Sequence, residues 1–412
     1  MTKPNDTTIC ATTLKTIIQY VGFDVHKDTI AVGVADEGQQ PRYLKTISHD
    51  LHAVEKLIHE LRQKGKVQLK VCYEAGPTGF VLARRLLAWG IECQVVAPSL
   101  IPKGSGDKIK TDKRDAVRLA RLLRAGELTA VKIPDERDEA IRDLCRARTD
   151  AVEDLRRLRQ QLKAFLLRNG YRYMGKSSWT QGHMRYLREL AVNHPAQKAI
   201  LEESIQSIEA AVARVARLEG HLEEVVAQWD KRPVVEALQC LRGVAFLAAT
   251  VMVSELGELG RFEHPRQLMA FLGLVSSEHS SGNKVRQGSI TKCGNRHARL
   301  FLIEAAHHYR QPPKVSKELS RRQEGQSRRV REMAWEAQNR LHRRTWKLMA
   351  RGVMVPKVVV AVARELVGFI WAISRETAKP GSVPKRLPRV EKSPTGAARQ
   401  IDYVLKRAVV AA

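Results

Sequence analysis

The sequence predicts a mixed α/β domain followed by a long helical region. Three observations support this fold class. Short apolar runs separated by turns fill residues 17–48, helical and strand-like periods alternate from there to residue 132, and heptads occupy most of 135–232. The 412 residues are enough for two or three domains, and 43% apolar residues can build ordinary hydrophobic cores. We therefore expect a folded protein.

The first domain is predicted over residues 16–134 with the order βββαβαβα. Its first three strands read IIQYVGFD, TIAVGVAD and RYLKTIS, and the short turns between them favour an antiparallel meander. The helix LHAVEKLIHELRQKG, the strand VQLKVCYE, the helix TGFVLARRLLAWG and the strand IECQVVAP follow. A loop rich in Gly and Lys leads to a last helix, which Thr111 and Asp112 open and Gly126 ends.

Residues 135–232 are predicted to form an antiparallel coiled-coil hairpin, because apolar residues recur there with a period of seven. The two seam positions of the first helix hold Ile141, Arg148, Leu155 and Leu162, and Leu144, Ala151, Leu158 and Phe165. Those of the second hold Leu201, Ile208, Val215, Leu222 and Trp229, and Ser204, Ala211, Leu218 and Val225. Between the helices, YRYMGKSSWTQGHMRYLREL alternates aromatic with basic residues. This composition suits base stacking and a plain hairpin tip almost equally.

The rest of the chain is predicted as a small all-α domain, 233–312, and a basic extension, 313–412. Two short apolar helices separated by Gly and Pro begin the all-α domain. The extension holds 23 Lys and Arg against 8 Asp and Glu, a net charge of +15. Its end is rich in Pro, Ser and basic residues and has too few apolar groups for a core. We expect a partly disordered electrostatic arm.

The charge balance indicates the class of partner. Lys and Arg outnumber Asp and Glu by 71 to 44, a net charge of +27, which favours a large polyanion over a merely solvated basic surface. Six cysteines without a CxxC pair predict reduced thiols in a cytosol and no structural zinc. We expect neither a signal peptide nor a membrane span, because Arg364 and Glu365 interrupt the apolar stretch VVVAVARELVGFIWAI.

Four acidic residues predict a divalent metal site. Asp24 ends the first strand and Glu74 the fourth, so their side chains converge if these strands are neighbours. Asp112 and Asp115 share one face at a helix start. Each acid alone also fits a structural role, as a turn residue, a surface charge, an N-cap or a helix-dipole partner. Together they provide the oxygen ligands that Mg²⁺ or Mn²⁺ prefers, and paired ions of this kind serve phosphoryl transfer.

The motifs that contain these acids resemble a known family. YVGFDVHKDTIAVGV, CYEAGPTGF and KTDKRDAVRLARLL are similar to the DEDD transposases of the insertion sequence one-ten family. The strand order also resembles the RNase H fold of Holliday-junction resolvases of the RuvC kind. The resemblance, over residues 17–135 and 235–310, implies that Asp24, Glu74, Asp112 and Asp115 coordinate catalytic metal.

A second group of candidate residues surrounds a Ser-Ser-Gly turn. The small turn residues lie among five cations, which predicts an anion or nucleic-acid site: Lys284, Arg286, Lys292, Arg296 and Arg299. On chemistry alone a flexible, solubilising turn explains the segment better. GLVSSEHSSGNKVRQGSITKCGN is, however, similar to the C-terminal transposase domain of the same family. The resemblance implies that Ser281 is the nucleophile, with Ser280 as the alternative.

The resemblance implies a transposase or site-specific DNA recombinase of an insertion sequence, acting on donor and target DNA in the bacterial cytoplasm at the nucleoid. It also implies a structured guide RNA and a homo-oligomer, either a dimer or a tetramer. Two other hypotheses remain open. A junction-resolving or RNA-cleaving nuclease would use the acids with water and leave the serine region unused. A non-catalytic nucleic-acid-binding protein would need only the basic charge and would not bind divalent ions through Asp24.

Overall fold

The computed structural model describes residues 17–63, 67–102, 111–282 and 284–378. The chain forms two compact units, which separate between Asp135 and Glu136, beside the predicted boundary at 134. The expectations for residues 1–16, for most of the Gly- and Lys-rich loop (103–110) and for the Pro-rich end of the extension (379–412) lie outside the described residues.

Five strands form the sheet of the first unit: β1 (Ile17–Val25), β2 (Thr29–Asp36), β3 (Arg42–Ser48), β4 (Val67–Glu74) and β5 (Glu92–Val96). Their spatial order is β3-β2-β1-β4-β5. The strands β1, β2 and β3 pair antiparallel, and β4 and β5 continue parallel to β1. The predicted meander is confirmed, and β1 and β4 are neighbours, as the metal-site hypothesis requires.

Two helices, α1 (Leu51–Arg62) and α2 (Val81–Ala88), pack against one face of this sheet. The helix α1 begins where predicted, because Asp50 Oδ1 accepts a hydrogen bond from Ala53 N at 2.7 Å. Phe23 and Tyr73, which are register partners in β1 and β4, are completely buried on this face. The alternation of side chains along a strand then directs their sequence neighbours to the opposite face.

The helix α3 (Asp112–Ala125) covers that opposite face. It begins at the N-cap Thr111 and ends at Gly126, which adopts a left-handed conformation with φ 69°, as predicted. A Cβ atom at Gly22 in β1 would lie 2.3 Å from Ala116 O, and one at Gly33 in β2 would lie 2.5 Å from the same atom. The backbone of α3 therefore rests directly on the sheet, and the two glycines make this approach possible.

The second unit begins with two long helices, α4 (Glu136–Arg168) and α6 (Pro195–Ala227). Trp229 Nε1, just after α6, donates to Asp138 Oδ1 at 3.0 Å, and Gln197 Nε2 donates to Asn169 Oδ1 at 2.8 Å. These contacts pair the start of one helix with the end of the other, so the hairpin is antiparallel.

The heptad assignment needs one correction. In α4, Arg148 is the polar exception of the seam, and it forms an ion pair with the buried Glu219 of α6. In α6 the second seam lies one residue later than predicted, since Ile205 and Val226 are buried while Val225 is 42% exposed. The prediction placed the second seam three residues after the first, whereas the buried residues lie four after it. The sequence pattern does not separate the two choices well, because positions i+3 and i+4 lie on adjacent parts of a helix face. The coiled-coil supercoil itself stays a prediction.

The aromatic segment at the end of the hairpin is largely used inside the protein. Trp179 and His183 are buried, and their ring centroids lie 5.0 Å apart. Tyr173 contacts the His183 ring edge-on, and the Arg159 guanidinium lies 5.1 Å from the Trp179 ring. A short helix, α5 (Gln181–Glu189), completes this small core. The packing favours the hairpin-tip interpretation over base stacking for these rings.

The remaining elements follow, and most of their helices share one core with the adjoining ends of α4 and α6. They are α7 (Arg232–Leu238), α8 (Phe246–Leu256), α9 (Pro265–Phe271), β6 (Ser276–Glu278), β7 (Gln287–Ile290), α10 (Arg296–His307), α11 (Lys317–Gln323), α12 (Arg328–Ala350) and α13 (Val355–Thr377). The all-α expectation is wrong in one respect, because β6 and β7 pair as an antiparallel hairpin. These strands have three and four residues, which is too short for an alternation of apolar and polar residues to predict them.

Residues 313–378 do not form the separate electrostatic arm that the charge count suggested. Val330 and Leu341 of α12 and Val362 and Leu366 of α13 are buried in the same core as α8 and α10. The helix α12 is basic on its exposed side, and both helices are apolar on their inner side. The net charge of the segment therefore did not reveal its packing face. In the described part of the chain, we find no helix with the length and apolar character needed to cross a membrane.

Candidate functional site

The strand-end acids lie on the side of the sheet that α3 covers. Phe23 and Tyr73 point to the opposite side, so the residues that follow them, Asp24 and Glu74, point toward α3. The first turn of α3 contributes Asp112 and Asp115. Because α3 rests directly on β1 and β2, its start is held at the same edge as the end of β1.

A histidine links two of these acids. His26 Nε2 lies 3.2 Å from Asp24 Oδ2 and 3.5 Å from Asp112 Oδ1. The Asp24 side chain is 16% exposed, whereas those of His26 and Asp112 are 50% and 66% exposed. The group therefore has a partly buried inner carboxylate and an exposed outer side.

The electrostatics of Asp24 favour a bound cation. Burial raises the pKa of Asp24 above its usual value, and the negative charges of Asp115 and Asp112 add to the rise. The charge and the hydrogen bond of His26 oppose it without cancelling it. Since the protein compensates the Asp24 charge only in part, a divalent ion at this position would remove the remaining repulsion.

The donor set also fits a divalent metal. Asp24, His26 and Asp112 each bring one ligand atom to within 4.8 Å of the others. Carboxylate oxygens suit Mg²⁺ and Mn²⁺, and an imidazole that hydrogen-bonds ligating carboxylates is a common orienting partner. Of the four predicted acids, Asp115 and Glu74 do not belong to this close group. Asp115 acts on Asp24 through its charge.

His26 was not among the residues predicted from the sequence. The signal was present, because His26 lies two residues after Asp24, and residues i and i+2 of an extended strand end share a face. Its contact with Asp112 depends on the position of α3, which the motif does not encode.

The two candidate serines lie at the tip of the β6–β7 hairpin. Ser281 and Lys284 exchange backbone hydrogen bonds of 3.2 Å, and Gly282 takes the left-handed conformation that closes the turn, with φ 56°. Ser281 is exposed, and within the described residues its Oγ makes no hydrogen bond.

Ser280 has a different environment. Its Oγ donates to Glu278 Oε1 at 2.7 Å and accepts from Arg286 N at 3.2 Å. Ser280 thus has a carboxylate beside it that accepts its hydrogen bond, whereas the Ser281 hydroxyl has no hydrogen-bond partner among the described residues. The choice of Ser281 over Ser280 stays a prediction.

Four of the five predicted cations are exposed near this hairpin, namely Lys284, Arg286, Lys292 and Arg296. The structure places the fifth predicted cation, Arg299, differently. Arg299 is buried, and its Nη1 donates to Leu272 O at 2.8 Å and to Cys293 O at 3.0 Å. Its guanidinium stabilises the main chain next to the hairpin and is not displayed to a phosphate.

A buried carboxylate fixes the helix that follows the hairpin. Glu255 of α8 accepts hydrogen bonds from Arg146 Nε at 2.8 Å and Asn295 Nδ2 at 2.6 Å, and His297 Nδ1 lies 3.1 Å away. Burial alone would raise the pKa of Glu255, but these partners outweigh it and lower the pKa to about 2. Asn295 also caps α10 by accepting from Ala298 N. The sequence signal was a lone acid in the apolar helix FLAATVMVSEL.

Comparison with known proteins places both regions in one family. A DEDD transposase model of IS110 matches residues 21–169, and a model described as "Transposase IS116/IS110/IS902 family" matches residues 235–321. The putative transposase y4qE of Sinorhizobium fredii (strain NBRC 101917 / NGR234) is 47% identical over 359 residues, which is 87% of this chain and 88% of the relative. The chain belongs to the IS110 transposase family.

Other relatives agree with this membership. The transposase for insertion sequence element IS1533 of Leptospira borgpetersenii is 32% identical over 333 residues, 79% of this chain and 95% of the relative. A probable family 20 transposase of Pseudomonas aeruginosa is 26% identical over 242 residues, 57% of this chain and 70% of the relative. The IS110 match over 21–169 contains all four candidate acids, and the match over 235–321 contains both serines.

Proposed function

We propose that this IS110 transposase cuts and rejoins DNA to move an insertion sequence, with Asp24, Glu74, Asp112 and Asp115 binding divalent metal and Ser281 acting as nucleophile. The first unit would serve as an RNase H-like, RuvC-like catalytic domain. The observation that supports the proposal most is the acid-lined end of β1, where a partly buried Asp24 lacks full compensation for its charge. Family membership over both regions adds to this support.

The acids and His26 would hold the ion and keep the inner carboxylate ionised. A divalent ion bound there would supply charge stabilisation to a phosphoryl group in the transition state. Glu74, at the end of the neighbouring strand, would complete the ligand set from the sheet side.

The serine step would exchange one phosphate ester for another. Ser281 Oγ would form a bond to phosphorus of a DNA phosphodiester, and the bond from phosphorus to one sugar oxygen would break. The serine hydroxyl loses one proton in this step, and the leaving sugar oxygen gains one. Attack on the phosphoserine by a sugar hydroxyl of another strand would restore Ser281 and create the new DNA linkage. The exposed cations Lys284 and Arg286 would neutralise the phosphate.

The proposed partners are donor DNA, target DNA and a structured guide RNA that supplies sequence specificity. The net charge of +27 supports binding of large polyanions, and none of the motifs found is a base-reading motif of the familiar DNA-binding folds. The α4–α6 hairpin offers a long helical surface through which a homo-oligomer could assemble.

The decisive experiment asks whether protein becomes covalently joined to DNA. With a nicked or mismatched DNA that stalls rejoining, wild-type protein, its guide RNA and Mg²⁺ should give a denaturant-resistant protein–DNA adduct. Ser281→Ala should give none, and Ser289→Ala, a serine of β7 in the same hairpin, should behave like wild type. If Ser280→Ala abolishes the adduct while Ser281→Ala retains it, the nucleophile is the serine beside Glu278.

The metal proposal has its own test. Asp24→Ala, Glu74→Ala, Asp112→Ala and Asp115→Ala should each abolish recombination and leave nucleic-acid binding largely intact, because they remove metal ligands rather than phosphate contacts. Near wild-type recombination in any two would overturn the quartet. Metal-dependent cutting that persists without either serine would favour a nuclease that uses water.

A further inference from the structure

The outer face of α12 carries two exposed tryptophans. Trp335 is 45% exposed and Trp346 is 51% exposed. They are 11 residues apart, close to three helical turns, so they lie on the same face with about 16 Å between them along the axis. Each indole presents a flat, accessible ring, and rings of this kind are the side chains on which unpaired bases stack.

One of these rings is held in place. Trp346 Nε1 donates to Arg310 O at 3.2 Å, and the His342 ring meets Trp346 edge-on with centroids 6.2 Å apart. His342 is itself fixed by a contact of 3.2 Å between its Nδ1 and Tyr309 O. Half of the Trp346 side chain remains open, so a planar partner meets a ring that is already ordered.

The helix that carries the tryptophans is basic. Residues 328–350 contain seven Lys and Arg against two Glu. Some of these cations are neutralised, as Arg340 and Arg344 are by Glu365. In the part of the chain that the structure describes, four others on or next to α12 form no ion pair with a carboxylate: Arg331, Arg343, Lys347 and Arg351.

We infer that the face of α12 that carries Trp335 and Trp346 docks an unpaired segment of RNA, with bases stacked on the two rings and phosphates near the cations. Arg331 and Arg343 lie one helical turn from Trp335 and Trp346, respectively. Stacking requires an accessible base face, which a duplex hides. Folded RNA regularly presents unpaired bases in loops and bulges, whereas duplex DNA does not.

Charge argues against the other occupants. A second copy of α12 would bring the same positive face against itself. Residues 379–412 hold eight Lys and Arg against two acids, so that segment carries the same sign as the face. The inference adds a binding surface for the RNA of the proposed function, but it requires neither the acids nor Ser281.

The test measures binding of the full-length protein to a short labelled RNA without internal pairing, by fluorescence anisotropy. Trp335→Ala and Trp346→Ala should each weaken binding about fivefold or more, the lower end of what loss of one stacked base costs. The Phe variants at both positions should retain most of the affinity, and the Leu variants should not. Affinity for duplex DNA should stay within twofold.

Matched controls separate stacking from charge and folding. Arg343→Gln should weaken RNA binding, whereas Arg217→Gln, which removes the same charge from an exposed site on α6, should not. All variants should unfold within a few degrees of wild type. Ser281→Ala should bind RNA normally, so loss of the covalent adduct and loss of RNA docking are independent results.

Several outcomes would overturn the inference. Wild-type RNA affinity in both Trp→Ala variants would show that the face does not stack bases. Weakened binding of single-stranded DNA alone would assign the surface to DNA. A change in oligomeric mass by light scattering in the Trp variants, with RNA affinity retained, would identify the face as a contact between copies of the chain.

Discussion

Replacing Gly22 by alanine tests whether direct contact between α3 and the sheet positions the metal site. The new Cβ would lie 2.3 Å from Ala116 O and 2.5 Å from Ala120 N, whereas ordinary contact begins at 3.4 Å. Both atoms belong to the helix backbone and cannot rotate away. The helix must therefore move by about 1 Å, the difference between 3.4 and 2.3 Å, at a cost of about 1–3 kcal/mol.

The same movement should damage the site at the start of α3. Asp112 Oδ1 lies 3.5 Å from His26, and metal ligands tolerate displacements of only about 0.2 Å. Gly22→Ala should lower Tm by several degrees and strongly reduce the rise in Tm that Mg²⁺ produces in the wild type. Differential scanning calorimetry with and without Mg²⁺ measures both effects.

A matched glycine provides the control. Gly220 lies inside α6, and a Cβ added there would have no neighbouring atom within 4 Å, so Gly220→Ala should be neutral or stabilise the protein by up to about 1 kcal/mol. Gly33→Ala, which meets the backbone of Ala116 and Val117 at 2.5 Å, should repeat the Gly22→Ala result. If Gly22→Ala keeps the wild-type Tm and Mg²⁺ response, α3 does not rest on the sheet as described.

Three further predictions concern charged residues and the end of the chain. Because burial raises the pKa of Asp24, its charge opposes folding without metal, so Asp24→Asn should raise Tm slightly in EDTA and abolish the Mg²⁺-dependent rise. Because the fold lowers the pKa of Glu255 to about 2, the ionised Glu255 stabilises the fold by about 3 kcal/mol above pH 4.5. This stabilisation is lost as the pH falls from 4.5 to about 2, so Glu255→Gln should flatten the acid limb of a Tm–pH curve. Deleting residues 379–412 should reduce the salt dependence of nucleic-acid binding, by about 0.7 to 0.9 in log–log slope per lost phosphate contact, and an unchanged slope would exclude such contacts.

The sheet was predictable because each strand is short, apolar and bounded by turn residues. Thr111 and Gly126 predicted where α3 begins and ends along the chain, but not what it packs against. That it lies on the face opposite α1 follows from the glycines at 22 and 33, where a side chain would block the helix. A glycine in a strand indicates a close approach of some backbone, but the sequence does not say which one.

The acids of the candidate site were predictable because strand ends and helix starts are visible in the pattern. His26 and Glu255 each left a signal in the sequence, but their roles were not predictable from it. Those roles depend on contacts across the fold, with Asp112 in one case and with Arg146 and Asn295 in the other. The burial of Arg299 was unpredictable for the same reason. Its type and spacing match those of its exposed neighbours, and only its burial distinguishes it.

In the C-terminal helices, the net charge of a segment does not indicate whether the segment packs into the core. Residues 313–378 look like a basic tail when charges are counted, and the apolar stretch VVVAVARELVGFIWAI is too interrupted by charge to span a membrane. In α13, however, Val358, Val362, Leu366 and Ile370 recur every four residues and are all buried. One turn of helix per apolar residue creates an inner stripe, and the charged residues between them occupy the outer side.

Packing of that stripe against α12 holds the basic face of α12 rigid and outward, with Trp335 and Trp346 on it. A tethered arm would lose conformational entropy whenever it bound a polyanion, whereas a face already ordered by the core does not. The same positive charge is therefore more useful for recognition on the folded helix than in the tail that the charge count suggested.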